Sequence, residues 1–233
     1  ALARSRRVIN AIAKSGDSQA AKNLAKLTDN GTTSIRAALD LSDDAVRVLK
    51  LKGWRLVVDR KNILIEDYTG KVLKKLKQTD VDTYLSYWKL TRIDQRNALK
   101  RVISELRRSG KRYKRSRALI NGYDIPRTTK GGKVCGDFSG SPYLYNGPNS
   151  VVKIELSGSQ KLDERLAFAE MGITDRKVMQ EIMEGYTWHH MDDMDEYLMC
   201  TMQLVKKEAH RGISTHIGGV RLFEKLTGIT YIR

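Results

Sequence analysis

All four histidines of this 233-residue chain lie between residues 189 and 216. They occur as the adjacent pair His189 and His190, followed by His210 and then His216. Histidines placed at random along a chain would rarely cluster in this way, so a shared role in metal binding or proton transfer is the first hypothesis. Such a role requires a fold that brings the pair and the two later histidines together.

The local sequence predicts two strands and a helical segment around these histidines. A strand is expected over residues 186–190, because Tyr, Thr and Trp favour strands and a glycine ends the preceding helix. A second strand is expected at 202–205, and a helix or helical turn at 206–215. Neighbouring residues of a strand face opposite sides of the sheet, so His189 and His190 are expected to point in different directions.

The two later histidines are six residues apart, which places them on different faces of an ideal helix. Gly212 lies between them, and it can end the helix and let both imidazoles converge. A unit of this kind can hold one divalent cation through three neutral imidazoles, with positions left open for phosphate and water. Phosphodiester hydrolysis needs such a cation, a base that activates water and positive charge that holds the polymer. The chain contains residues for all three.

Three aspartates follow the histidine pair, at Asp192, Asp193 and Asp195. The segment between the two predicted strands is expected to be a solvated loop that carries these carboxylates. Metal binding by the aspartates is the alternative.

The charge of the chain points to a polyanionic partner. The net charge of +16 favours nucleic acid over an anionic membrane or an acidic protein. Between residues 100 and 117 there are nine lysines or arginines and one acid, Glu105. A phosphate-contacting surface is one interpretation of this run, and a solvated basic face is the other. The positions expected to contact phosphates are Arg107, Arg108, Lys111, Arg112, Lys114 and Arg115.

The two cysteines, Cys135 and Cys200, lack the spacing of a disulfide framework or a zinc knuckle. Free thiols are expected at both positions, and Cys200 is expected in the core of a strand. No run approaches the roughly eighteen apolar residues of a transmembrane helix.

Two modules joined by a linker are predicted, in an α+β fold. Residues 1–110 are expected to form a mostly helical module with one β-hairpin, whose strands are 54–58 and 63–68. A basic linker is expected over 111–134, because glycines and a proline interrupt the pattern there. The second module is expected to cover 135–233.

Further elements follow from the apolar spacing. Ser42 is the predicted N-cap of a helix that ends before Gly53. A helical pattern runs from residue 80 to about residue 108. The second module is expected to contain a strand at 151–156, a helix from 162 to 171, and a helix capped by Thr174 that runs to residue 185.

Six segments between residues 137 and 219 occur in an order and spacing that carry a family signal. They are Asp137-Phe-Ser139, Val152-Lys-Ile-Glu-Leu-Ser-Gly158, Gly185-Tyr-Thr-Trp-His-His190, Met202-Gln-Leu-Val205, His210 and His216-Ile-Gly-Gly219. In these segments the chain resembles the HNH/endonuclease VII nuclease superfamily, in the branch with a Trp-His-His motif. Trp188 and the Gly-Gly ending distinguish this branch from other HNH nucleases. The resemblance implies an HNH-type ββα-metal nuclease module.

The resemblance also implies roles for individual residues. His190 would be the general base and His189 a metal ligand, with the exchange of these two roles as the alternative. Gln203 would stand where other branches have a central Asn, and would orient the base or its loop. His210 and His216 would complete the metal site. The expected cofactor is one divalent ion, Mg, Mn or Zn.

Domains of this branch commonly lie at the C-terminal end of large secreted bacterial toxins. The resemblance therefore implies a DNase toxin of interbacterial competition that is delivered into the cytoplasm of a target cell and is neutralised by an acidic immunity protein. One alternative is a phage or housekeeping HNH nuclease that has no inhibitor. Another is a zinc-stabilised module that binds nucleic acid without hydrolysing it. RNA stays open beside DNA as the substrate.

Overall fold

A computed structural model of the chain describes residues 39–109, 117–128, 135–213 and 218–233. Helices and small sheets both occur, which confirms the α+β prediction. Two compact units are present, Ala1–Thr91 and Arg92–Arg233. The part of the predicted helical module that precedes residue 39 lies outside the described residues. No helix in the described ranges has the length and apolar character needed to cross a membrane.

The described part of the first unit begins with a helix that is capped at both ends as predicted. The Ser42 side chain accepts a hydrogen bond from the Ala45 amide, and Gly53 ends the helix in a left-handed conformation at φ 65°. A three-stranded antiparallel sheet and a second helix follow. The elements are α1 (Asp43–Lys52), β1 (Arg55–Asp59), β2 (Asn62–Glu66), β3 (Val72–Lys77) and α2 (Val81–Lys89).

The predicted hairpin is confirmed as β1 and β2, but strand β3 was not predicted. Its inward-facing positions are Lys74 and Leu76, and the lysine is fully buried. A lysine at a core position breaks the apolar alternation by which a strand is recognised in a sequence. The aromatic residues of this unit pack on each other, with the rings of Trp54 and Trp88 5.9 Å apart.

The helical pattern predicted from 80 to 108 is two helices, since the backbone becomes extended at Leu90 with ψ 146°. The later helix is α3 (Arg92–Ser109). The predicted module boundary lay near residue 110. The chain divides after Thr91 instead, so α3 belongs to the second unit.

Part of the predicted linker is a β-hairpin that belongs to the core of the second unit. Strands β4 (Arg117–Ile120) and β5 (Tyr123–Thr128) pair antiparallel, and β6 (Cys135–Gly136) adds to β5. Asn121 and Gly122 form the turn, both at positive φ, as a type I′ hairpin turn requires. Ile125 is fully buried in the core that this hairpin builds with the rest of the unit. Residues 117–128 of the predicted linker thus form two paired strands, and their Asn-Gly turn is a hairpin signal that the prediction did not use.

The remaining sheet carries the histidine pair. Its order is β7-β9-β8, antiparallel, with β7 (Val151–Glu155), β8 (Tyr186–His190) and β9 (Met199–Lys206). All three strands were predicted, with β9 longer at both ends. The helices are α4 (Gln160–Met171), α5 (Arg176–Gly185), α6 (Lys207–Gly212) and α7 (Gly219–Thr227).

Helix α5 differs from the prediction at its first residue. Asp175 is the N-cap, and its side chain accepts from the amides of Lys177 and Val178 at 2.7 and 3.3 Å. Thr174, the predicted cap, lies one residue earlier. Both residue types are good caps, so the sequence alone did not separate the two positions.

Candidate active site

Strand β8 sends its two histidines to opposite sides of the sheet, as strand alternation predicted. The contacts of His189 are with β6, the following turn and α6, whereas those of His190 are with α4 and the C-terminal residues. Trp188 is on the side of His190 and packs on Phe168 of α4, with the ring centroids 5.3 Å apart. The tryptophan therefore anchors the end of β8 against the helix.

His189 is fully buried and its imidazole is held on several sides. Its Nε2 lies 2.9 Å from the carbonyl oxygen of Gly136 and 3.1 Å from Cys135 Sγ. The ring packs edge to face on Phe138 and on His210, with centroid distances of 5.4 and 5.2 Å. A carbonyl oxygen can only accept, so the proton is on Nε2 and the lone pair of His189 is on Nδ1.

His190 lies on a buried carboxylate. Its Nε2 is 3.0 Å from Oδ2 of Asp163, a residue with no solvent exposure on the first turn of α4. The same oxygen accepts a hydrogen bond from the Tyr231 hydroxyl, and Oδ1 accepts from the Ser157 amide at 2.8 Å. Burial, and next the negative charge of Asp163, raise the pKa of Tyr231 well above its usual value, so the phenol stays a donor.

Gln203 lies opposite His189 in the β8–β9 pairing, and it binds the turn that covers that histidine. Its Oε1 accepts from the Phe138 amide at 2.9 Å, and its Nε2 donates to Asp137 Oδ1 at 2.8 Å and to Ser139 Oγ at 3.0 Å. Gln203 was expected to orient the base or its loop. Its hydrogen bonds are to the 137–139 turn, whose Phe138 ring packs on His189.

Two of the three predicted metal ligands are neighbours in the structure. His210 on α6 packs edge to face on His189, and His216 lies outside the described residues. No group of three His, Cys, Asp or Glu within the described ranges is arranged to hold a metal ion. The donors present still fit a divalent cation, because a metal-binding histidine commonly donates its other ring N–H to a backbone carbonyl, as His189 does to Gly136.

The fold and the histidine geometry can be compared with known families. Residues 180–225 match the family model WHH, a nuclease of the HNH/ENDO VII superfamily with conserved WHH. This stretch, called the WHH segment below, is similar to nucleases of that family. The match confirms the resemblance inferred from the sequence. No curated protein and no solved structure matches the chain.

The acidic residues inside the WHH segment hold its loop. Asp193 accepts from the amide and the hydroxyl of Thr201 at 2.9 and 2.6 Å. Asp195 accepts from the amides of Tyr197 and Met199. Asp192 is 2% exposed, so the prediction of a solvated loop was wrong for this residue. The carboxylates of Asp193 and Asp195 are engaged in fastening the connection between β8 and β9.

Both cysteines are free and buried, as predicted, and both lie near the site. Burial, and next the negative charge of Asp192, raise the pKa of Cys135 well above its usual value. Burial followed by the charge of Asp193 has the same effect on the pKa of Cys200. Both thiols are therefore kept neutral, and each donates to a backbone carbonyl oxygen, Cys135 to that of His190 at 3.5 Å and Cys200 to that of Met191 at 3.3 Å.

Most of the predicted phosphate contacts fall outside the described residues. These are Lys111, Arg112, Lys114 and Arg115, together with the side chain of Arg107. Arg108 is exposed near the end of α3, where its Nη2 lies 3.3 Å from Ser104 Oγ. The phosphate-contacting surface stays a prediction.

Two residues beside His190 were missed by the sequence reasoning. Asp163 occurs in an ordinary amphipathic helix, and Tyr231 is 68 residues away from it in the chain. No local motif marks either residue. The helix over 160–171 was predicted, but a single acid on its apolar face was the available signal, since a carboxylate is rarely buried unless it is paired.

Proposed function

We propose that this protein is a metal-dependent endonuclease that hydrolyses phosphodiester bonds in DNA. The observation that carries the proposal is the WHH match on a strand, strand, helix succession in which the His189 and His210 rings are 5.2 Å apart. Nuclease function is what the family match supports. The metal, the choice of DNA and the residue roles belong to the proposal.

The residue roles divide between the two sides of β8. His189 and His210, with His216, would hold the cation through neutral imidazoles. A bound divalent ion would stabilise the charge that develops on the phosphoryl group and its leaving oxygen. His190, on the other side of the strand end, is the general base that takes a proton from water. Gln203 positions the 137–139 turn against His189.

The charge of the chain supports DNA as the substrate. A net charge of +16 gives strong, salt-dependent attraction to a phosphate backbone. RNA presents the same phosphates, so single-stranded and double-stranded RNA are compared with plasmid DNA in the same assay.

Plasmid nicking tests the proposal directly. Supercoiled plasmid is incubated with the protein and Mg²⁺ or Mn²⁺, with EDTA as the metal-free arm. Cleavage by the unaltered protein, its loss in His190→Ala and unchanged metal binding by calorimetry are expected. Val178→Ala, at an exposed position of α5, is the matched control and retains cleavage. Binding of plasmid without cleavage in every arm would refute the nuclease proposal and favour a zinc-stabilised binding module.

We further propose a toxin role in bacterial competition, with action in the cytoplasm of the target cell. The support is the resemblance to the Trp-His-His branch, together with a positive charge that a small acidic immunity protein would complement. Expression in the bacterial cytoplasm is expected to stop growth, and His190→Ala is expected to be harmless. Coexpression of a neighbouring small acidic reading frame is expected to restore growth. Normal growth with active enzyme in the cytoplasm favours a housekeeping or phage nuclease.

A further inference from the structure

The carboxylate of Asp163 is the most deeply buried charged group beside the histidine pair. It has no solvent exposure, and its Oδ2 lies 3.0 Å from His190 Nε2. A carboxylate is removed from water at a large free-energy cost unless its oxygens are hydrogen-bonded. Its position therefore calls for a compensating set of donors.

Donors are present at both oxygens. Oδ1 accepts from the Ser157 backbone amide at 2.8 Å, and Oδ2 accepts from the Tyr231 hydroxyl as well as from His190. The Ser157 amide can only donate, so the orientation of the carboxyl group is fixed by the backbone. The raised pKa of Tyr231 keeps its hydroxyl a donor as well.

This arrangement determines which nitrogen of His190 carries the proton. An ionised carboxylate only accepts, so neutral His190 must place its proton on Nε2 and its lone pair on Nδ1. A base needs its lone pair on the nitrogen that meets the water. A buried acceptor behind the imidazole thus prepares the ring for proton abstraction before any substrate is bound.

We propose that Asp163 is a positioning residue of the nuclease reaction, which holds His190 in the Nε2–H tautomer so that Nδ1 acts as the base. This inference rests on the proposed function, in which His190 activates water. Nδ1 takes one proton from water, the water oxygen forms the new bond to phosphorus, and the bond from phosphorus to the leaving oxygen breaks. The leaving oxygen is protonated from solvent.

A purely structural role is the competing explanation, because Asp163 also binds the Ser157 amide. Asp163→Asn separates the two. The Asn side-chain oxygen is expected to stay on the Ser157 amide, which leaves the amino group facing Nε2 of His190. Nε2 must then accept, the proton moves to Nδ1 and the base loses its lone pair. The fold keeps its backbone contact while the tautomer is reversed.

Nitrogen-15 NMR of the imidazole rings measures the tautomer in the full chain without any assay of activity. The His190 signals are assigned by their loss in His190→Gln. The unaltered protein is expected to show the Nε2–H form at His190, and Asp163→Asn the Nδ1–H form. An Nδ1–H form in the unaltered protein overturns the inference, whether or not Asp163→Asn folds.

Kinetics provide the second measurement. Asp163→Asn is expected to lower kcat by about 10²–10⁴-fold, with KM within about twofold and metal binding unchanged, since the loss is confined to proton abstraction. Asp163→Glu, which keeps a carboxylate, is expected to recover part of the rate. Asp175→Asn at the start of α5 is the matched control and keeps full activity, because Asn also caps helices.

Tyr231→Phe is the milder variant and keeps the Asp163–His190 contact. It is expected to retain the Nε2–H tautomer and to lower kcat by less than about tenfold, since one neutral donor is removed. A folded Asp163→Asn with kcat unchanged overturns the inference while the nuclease proposal stands. If the unaltered protein cleaves no nucleic acid, the nuclease proposal fails, and NMR still decides whether Asp163 sets the tautomer.

Discussion

Gln203 on β9 is paired with His189 on the neighbouring strand β8, and both the oxygen and the nitrogen of its side-chain amide are hydrogen-bonded to the turn that packs on this histidine. Gln203 as a whole is 1% exposed. A glutamine at this position therefore reaches past the imidazole to the backbone of Phe138, whose ring packs on the histidine at 5.4 Å. The β8–β9 register is thus coupled to the position of His189 through one buried side chain.

Replacing Gln203 by Leu should destabilise the second unit. Leu keeps most of the volume but leaves the Phe138 amide unsatisfied in the interior, at a cost of about 1–3 kcal/mol. Urea unfolding of both proteins measures the difference. Gln203→Glu retains an acceptor for the Phe138 amide. It also replaces the side-chain nitrogen of Gln203, which lies 2.8 Å from Asp137 Oδ1, with a negatively charged oxygen, so this variant should be no more stable than the Leu variant. An unfolding free energy equal to that of the unaltered protein would contradict this role.

Asp137 should contribute to stability in a pH-dependent way. Partial burial raises the pKa of Asp137, but the hydrogen bonds from Gln203 and then from Ser139 outweigh it and leave the pKa below its usual value. Because the folded-state pKa is depressed, the stabilisation is present above the unfolded pKa of about 3.9 and is lost as the pH falls through the folded value. Asp137→Asn keeps an acceptor but does not titrate. Its unfolding free energy should fall less steeply below about pH 4 than that of the unaltered protein, and parallel curves would argue against the assignment.

The sequence predicted the elements of the site better than its contacts. The strand at 186–190, the opposed faces of His189 and His190, and the second strand through Gln203 all follow from local patterns. A period of two and a preceding glycine are properties of neighbouring residues, so they are visible in one chain. The strands and the opposed histidine directions could therefore be predicted from the sequence.

The contacts of His190 could not be predicted in the same way. Asp163 and Tyr231 come from separate elements, and their meeting depends on how α4 and the C-terminal residues pack on the sheet. The hairpin at 117–128 is a different case, because its Asn121-Gly122 signal was present but was interpreted, with the nearby glycines and proline, as irregular structure. Strand β3 was not predicted because Lys74 occupies one of its inward-facing positions, where the alternating pattern requires an apolar residue.

Gly219 should tolerate no side chain. A Cβ there would lie 2.5 Å from Cys200 Sγ and 3.2 Å from the Met191 carbonyl oxygen, neither of which is the free end of a flexible chain. Gly219→Ala is expected to cost about 1–3 kcal/mol by overpacking. Gly185→Ala is the matched control: a Cβ there meets no atom of the described residues within 4 Å, and Ala in the last turn of α5 should stabilise by about 0.5–1 kcal/mol. Thermal unfolding of the two variants should therefore shift in opposite directions.

The β4–β5 hairpin should behave as part of the second unit's core. Ile125 is fully buried, so Ile125→Ala is expected to lower the unfolding free energy by about 2–5 kcal/mol. Leu119 on the same hairpin is 76% exposed, and Leu119→Ala should change the unfolding free energy by no more than about 0.5 kcal/mol. Denaturant titration of both variants gives the comparison. If both substitutions changed the unfolding free energy by equally small amounts, the hairpin would not be part of the core.

The basic run should show itself in the salt dependence of DNA binding. Neutralising Arg107, Arg108, Lys111, Arg112 and Lys114 together should weaken binding and lower the slope of log affinity against log salt by about 0.9 for each phosphate that the protein no longer neutralises. Fluorescence anisotropy over a salt series measures the slope, and calorimetry should show metal binding unchanged. The matched control neutralises five exposed basic residues of the first unit, which lowers the net charge equally: Lys50, Arg60, Lys61, Lys71 and Lys77. A slope changed equally by both sets would mean that total charge governs binding, and an unchanged slope in the first set would make the run a solvated face.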